Sequence, residues 1–256
     1  MLHPRLIPVL LIHNKGLVKT VKFKDAKYVG DPLNAVRIFN EKQVDELIVL
    51  NIDASSQNQE PDYKTIENLA AECRMPFCYG GGIKTAQQAK QILSLGVEKI
   101  SLSAAAIQTP NLVSEIAEQV GNQSVVVTLD VKKKLFSSKY EVFTHNGQNN
   151  TKRCPIELSQ HFQALGAGEI VINSIDNDGV MKGYDLELIR KVHSNLSIPL
   201  TVAGGAGTLD HIAALYQQEK LIGAAAGSLF VFKGKYKAVL ISYPSEYEKQ
   251  ALVATR

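Results

Sequence analysis

The sequence has no tryptophan and only three cysteines and three methionines in 256 residues. Cys73, Cys78 and Cys154 form no CxxC pair and belong to no Cys/His pattern, which excludes a zinc knuckle, a dithiol redox motif and a disulfide framework. They read as small core hydrophobes in a reducing compartment. Charge of one sign is also scarce. The net value of +3 makes no case for nucleic-acid binding, and a few local lysines suit anionic metabolites better. Long hydrophobic runs are missing too. The apolar opening MLHPRLIPVLLIHNKG has no small-residue cleavage site and is far shorter than a membrane span. It reads as a buried first strand, and the expectation is a cytoplasmic protein with no membrane partner. No Pro/Gly/Ser-rich linker divides the chain, so residues 1–256 are expected to form one domain.

What is present is ordinary in bulk: 45% hydrophobic and 21% charged residues, enough for a large core. The order is more telling. Short apolar, β-branched runs occur at 6–12, 46–52, 76–79, 99–103, 124–131, 169–174, 199–203 and 221–225. Near-continuous apolarity suits strands covered on both faces. Amphipathic stretches at 32–41, 65–73, 86–95, 112–119, 155–165, 186–193 and 209–217 separate them. Several open on a cap or first-turn proline, namely Asp31-Pro32, Thr85, Thr109-Pro110 and Thr208. Two irregular segments, 13–30 and 132–147, follow the first and fifth runs, where barrel enzymes usually build their chemistry.

The second half repeats the first. Glu46-Leu-Ile-Val-Leu-Asn-Ile-Asp53 returns as Glu169-Ile-Val-Ile-Asn-Ser-Ile-Asp176, and Gly81-Gly82 as Gly204-Gly205, both offset by 123 residues. Eight strands alternating with helices in two equivalent halves predict an α/β fold, a (βα)8 TIM barrel made of two duplicated half-barrels. An open doubly wound sheet is the rival architecture. Each paired-glycine turn lies between a strand and a helix, where backbone N–H groups meet an anion closely. Ser101 and Ser103 after the fourth strand, and Gly227-Ser228 after the eighth, are expected to complete the two phosphate sites. A ligand phosphorylated at both ends follows. Lys19 is a candidate phosphate contact and Asp178 a candidate for ligand hydroxyls, whereas His13 and His145 read as surface histidines and Lys132-Lys133-Lys134 as a solvated turn.

These residues resemble a known family, the cyclase subunit of imidazole glycerol phosphate synthase. The resemblance runs through Arg5-Leu-Ile-Pro8, Val18-Lys19, Gly30-Asp31-Pro32, Asp45-Glu46-Leu47, the GGGIK turn, Asp130 closing the fifth strand, Gly166-Ala-Gly-Glu169, Asp176-Asn-Asp178-Gly179 and Gly204-Gly-Ala-Gly207. It implies a barrel that takes ammonia from a glutaminase subunit on its N-terminal face and passes it to a small substrate phosphorylated at both ends. No metal or organic cofactor is implied. Two aspartates, one closing strand one and one closing strand five, serve such barrels as acid and base. Asp130 supplies the second. Leu11 stands at the first, and leucine transfers no proton. Asn51 stands where the family usually has aspartate, Ser103-Ala104 where Asn-Thr is expected, Val180 for threonine and Val9 for cysteine. Arg5, Glu46, Lys99 and Glu169, which the resemblance assigns to a charged ammonia gate, are all present; a stabilising ion-pair ring is the plainer account of them. The expectation is therefore a paralogue that receives ammonia for another amidation, conceived as one on a surface-polysaccharide sugar with a sugar amidotransferase as further partner. The alternatives are the histidine-pathway cyclase itself and a phospholigand-binding scaffold without turnover.

Overall fold

The computed structural model describes residues 4–219 and 221–254. Eight parallel strands close into a barrel: β1 (Leu6–His13), β2 (Leu47–Asn51), β3 (Phe77–Gly80), β4 (Lys99–Leu102), β5 (Val125–Lys133), β6 (Glu169–Ser174), β7 (Leu200–Ala203) and β8 (Gly223–Ala226). Each pairs with the next, and β8 returns to β1 with Leu6 opposite Ala224. The open-sheet rival is thereby excluded.

Side chains alternate along each strand, so two cores form. The outer one lies between barrel and helices and contains Phe39, Phe77 and Phe162, each fully buried and contributing about 2–3 kcal/mol. The inner one is a layer of Ile7, Ile48, Cys78, Val126, Val171 and Ala225 across the barrel. Cys78 is a buried free thiol there, as its isolation in sequence suggested.

The helices form for local reasons. In Pro32–Glu41, proline opens the first turn and the Asp31 side chain accepts from Asn34 N at 2.9 Å. Pro32, Ala35, Val36 and Phe39 then share the buried stripe. Thr85 and Thr208 each accept an amide from the third residue of the helix that follows, and so do Asp62 and Asp185. Both pairs again differ by 123 positions. At Thr109-Pro110 the expected cap is absent: helix Asn111–Val120 starts without a side-chain cap bond.

The two irregular segments prove to be hairpins. After β1, strands Gly16–Val21 and Lys24–Gly30 pair with each other, and the first of them pairs with β1 through Leu11–Val18 and His13–Gly16. β8 leaves β1 at Pro8, so this strand fills an edge that the barrel vacates. β5 likewise runs on to Lys133 and pairs with Tyr140–Thr144. Sequence alternation is weak in the first because residues 17–20 are buried on both faces while Lys24–Gly30 is largely exposed on both. Further elements escaped the sequence reading, among them the short helices Ile52–Ser56, Ala104–Gln108 and Ser228–Val231, a small hairpin of Phe232–Lys233 with Ala238–Val239, and helix Glu246–Ala254.

Candidate active site at the C-terminal mouth

A cavity opens at the C-terminal ends of the strands. Its walls include Leu11, Lys19, Asn51, Asp130, Asn173 and Asp178, and both glycine turns border it. The inward alternation of each strand sets its depth. On β5, Val126, Thr128 and Asp130 rise in turn; on β6, Glu169, Val171 and Asn173 do the same.

Asp130 sits at the top of β5, where Asn173 Nδ2 donates to its Oδ1 at 3.0 Å. Burial pushes the Asp130 carboxyl up to about 7; the Asn173 hydrogen bond opposes the rise and the Asp178 charge adds to it. A carboxyl that titrates near neutrality is suited to proton transfer. Leu11 lies on β1, across the eight-strand ring from β5, and lines the same cavity. Nothing at that position carries a proton.

Lys19 is not on a loop. It lies within the strand beside β1, buried, and donates to the Val9 carbonyl. A Cβ at Gly227 would lie 2.5 Å from its Nζ, so the glycine leaves the room that the lysine fills. Burial pulls the Lys19 ammonium down to about 8, with Asp178 opposing. Asp178 is raised above the ordinary carboxylate range by burial, against hydrogen bonds from Thr20 Oγ1 (2.7 Å) and Phe23 N (3.3 Å) and the charge of Lys19. These contacts, with Lys22 N donating to the Asp178 carbonyl at 2.9 Å, tie the hairpin tip to the loop after β6.

Gly81 and Gly82 have φ of +121° and +79°, and Gly204 and Gly205 +88° and +120°. At Gly81 a Cβ would lie 2.5 Å from the Asn51 carbonyl, so both conformation and space demand glycine. Ser103 and Ser228 begin short helices beside the two turns. Ser101 lies deeper, its hydroxyl 2.7 Å from that of Thr128 and buried inside the barrel.

Asn51 does not point freely into the cavity. Its Oδ1 accepts from Asp53 N (3.0 Å) and Ala54 N (3.3 Å) and caps the short helix. His13, expected at the surface, is held by Asp53: Nδ1 to Oδ1 is 2.6 Å, and Asn14 N donates to Oδ2 at 2.7 Å. Asp176, the repeat partner of Asp53, accepts from Lys133 N at 3.0 Å. The duplicated aspartates therefore brace the chain leaving β1 and β5. Asn173 and Thr20 were missed by sequence reasoning; extending the alternation from Glu169 by two positions twice finds Asn173, and no sequence signal marks Thr20.

At the opposite end, the four charged residues meet. Arg5 pairs with Glu46 and, at 2.7 Å, with Glu169; Lys99 lies 2.9 Å from each glutamate. Thr201 Oγ1 donates to Glu169 at 2.6 Å. Burial would raise the Glu169 carboxyl, but Arg5 and Lys99 outweigh it and hold it below the usual range. The ring lies at the N-terminal end of the barrel, below the inner apolar layer. Among the described residues no group of three or more His, Cys, Asp or Glu could hold a metal ion, and no helix is long and apolar enough to cross a membrane.

Fold and site together define a (βα)8 barrel with its cavity at the C-terminal mouth and an ion-pair ring at its base. Residues 5–237 match the family described as histidine biosynthesis protein. The chain is 64% identical over 250 residues to a Vibrio vulnificus protein provisionally named imidazole glycerol phosphate synthase subunit hisF3, covering 98% of this chain and 96% of that one. A Leptospira borgpetersenii protein provisionally named imidazole glycerol phosphate synthase subunit HisF is 58% identical over 98% of this chain and 99% of its own. A Pseudomonas aeruginosa protein, provisionally named subunit hisF2, is 52% identical over 95% and 97%. The chain belongs to the histidine-biosynthesis family, as a cyclase-subunit homologue similar to paralogue-numbered HisF proteins.

Proposed function

We propose that this barrel receives ammonia from a glutaminase bound at its N-terminal face and delivers it to an amidation other than imidazole ring closure, with an acetamido sugar of a surface polysaccharide as the acceptor. One observation carries the reading: the charged ring at the base is complete while Leu11 faces the cavity that Asp130 serves. An apolar interior suits neutral ammonia, since an ammonium ion loses its hydration there at high cost. Addition of ammonia to an activated acetamido carbon forms one C–N bond, expels the activated oxygen and releases one proton from nitrogen. That proton is taken up where the acceptor is bound, so delivery asks no acid–base pair of this barrel. Ring closure asks for an acid and a base together, and general acid–base catalysis is worth about 10²–10⁴ in rate for each participant. The glycine turns and Lys19 are the residues for a phosphorylated ligand, and the compartment is the cytoplasm.

The test is twofold. The purified chain is expected to bind a HisH-like glutaminase and to stimulate its glutamine hydrolysis. It is also expected to leave a histidine auxotroph lacking the cyclase without growth. Robust growth would reinstate the second reading, a histidine-pathway cyclase, which the names of the relatives and the poised Asp130–Asn173 pair favour.

A further inference from the structure

Two hairpins at the mouth join into one ledge. The first is the hairpin after β1; the second is Phe232–Lys233 with Ala238–Val239, which follows β8. Lys27 Nζ donates to the Lys237 carbonyl at 3.2 Å and lies 5.1 Å from the centre of the Phe232 ring. Residues 21–29 and 232–240 contain six lysines, Lys22, Lys24, Lys27, Lys233, Lys235 and Lys237, against one acid, Asp25. The ledge thus carries a net +5 on a chain whose total is +3, so the rest of the molecule is net negative. Among the described residues none of these lysines forms an ion pair, although lysines elsewhere do. Aromatic side chains stand between them without cover: Tyr236 is 88% and Tyr28 66% exposed.

We propose that this ledge docks an acidic face of the protein that consumes the ammonia leaving the mouth. The inference rests on the ammonia-delivery reading above. A solvated surface normally intersperses both signs; contact patches are enriched in tyrosine at the centre and keep charge at the rim, so the tyrosines supply the contact and the lysines its rim. Tyrosine supplies contact area at low entropic cost, and lysines around it steer an acidic partner. Position selects a protein. The same hairpin places Phe23 in the cavity wall, so whatever sits on the ledge sits beside the opening. Ammonia released there must meet an acceptor before it is protonated and lost, and an anionic lipid surface offers none. The ledge is built of hairpins, without the amphipathic helix by which proteins usually lie on membranes.

The experiment uses the full chain in its source strain. A deletion strain is complemented with wild type or with K24E/K235E/K237E, and amidation of the surface polysaccharide is read by mass spectrometry. Purified wild type and variant are compared for melting temperature, glutaminase stimulation and flotation with phosphatidylglycerol vesicles. The variant is expected to melt within about 3 °C of wild type and to stimulate glutaminase equally, because the ledge is exposed and far from the N-terminal face. Amidation is expected to fall about tenfold or more, as like charges then meet across the contact. Unchanged amidation in the variant overturns the docking surface and leaves ammonia delivery standing. Wild-type flotation that the variant loses also overturns it, in favour of lipid. Unchanged amidation in the deletion strain removes the delivery reading, and the docking proposal falls with it.

Discussion

Asp130 is costly to the fold. Its pKa in the folded state, about 7, exceeds the ordinary carboxylate value of 3.8 because burial penalises the charge. The folded chain therefore binds the proton more tightly than the unfolded one, and stability drains away as pH rises from about 4 to about 7. One pKa unit corresponds to about 1.4 kcal/mol, so this group costs on the order of 2–4 kcal/mol above neutrality. Asp130→Asn keeps an acceptor for Asn173 Nδ2 and removes the charge. It is expected to raise unfolding free energy at pH 8 by about 2 kcal/mol, with the gain vanishing near pH 4. Urea melts of both proteins at the two pH values measure it; equal stability at pH 8 would mean that Asp130 is solvated. His13 and Asp53 make the opposite kind of pair. Asp53 orients the ring and takes the Asn14 amide, so Asp53→Asn is expected to loosen the turn after β1 and cost about 1–3 kcal/mol through the lost buried acceptor. Hydrogen exchange at Asn14 and in the hairpin beyond it reports that loosening.

The strands and turns explain which parts of this site can be read without coordinates. The 123-residue repeat fixes two inward glutamates, two glycine turns and two threonine helix caps, because strand alternation and glycine geometry are local properties. A Gly81→Ala substitution tests the strictest of these. Its φ of +121° and the 2.5 Å approach to the Asn51 carbonyl predict a loss of about 2 kcal/mol or more in stability, seen in urea melts; inorganic phosphate is expected to raise the melting temperature of wild type and to leave that of the variant unchanged. The hairpins were illegible for the converse reason. Lys19 looks like a loop lysine in LVKTVKFK, since its burial comes from the Val9 carbonyl and the gap over Gly227, partners that sequence does not bring together. Thr20 and Asp178 meet across 158 positions, and His13 and Asp53 across 40. Such pairs depend on barrel closure. The ring at the base was legible as a set of positions, but its connectivity was not. Each glutamate there contacts both cations, so Lys99→Met leaves Glu46 with Arg5 and Glu169 with Arg5 and the Thr201 hydroxyl. That is expected to cost about 2–4 kcal/mol, discounted for the partial exposure of Lys99, and denaturation of the purified variant measures it.

At the scale of the whole molecule, the two ends of the barrel differ in what their side chains can do. The base keeps a complete ion-pair ring beneath an apolar interior. The mouth has two glycine turns and one carboxyl raised toward neutrality, yet the wall across from Asp130 is leucine, Asn51 Oδ1 caps a helix, and the Ala104 side chain offers no donor. If only Leu11 separated this chain from a ring-closing cyclase, one substitution would restore the reaction. The rest of the wall argues otherwise. An aspartate at position 11 would regain a carboxyl in a cavity that already holds Asp130 and Asp178, with Lys19 the one lysine or arginine among its described lining residues, and neighbouring carboxylates raise each other's pKa. It would also lack hydrogen-bonding neighbours at Asn51 and Ala104 to set a substrate against it, and misplacement of about 1 Å commonly costs about 10² in rate. Leu11→Asp is therefore expected to restore at most about 1% of the rate of a histidine-pathway cyclase. The assay supplies ammonium and the histidine intermediate directly and follows formation of aminoimidazole carboxamide ribotide. Full activity from that single change would make the mouth an intact cyclase site with one missing group.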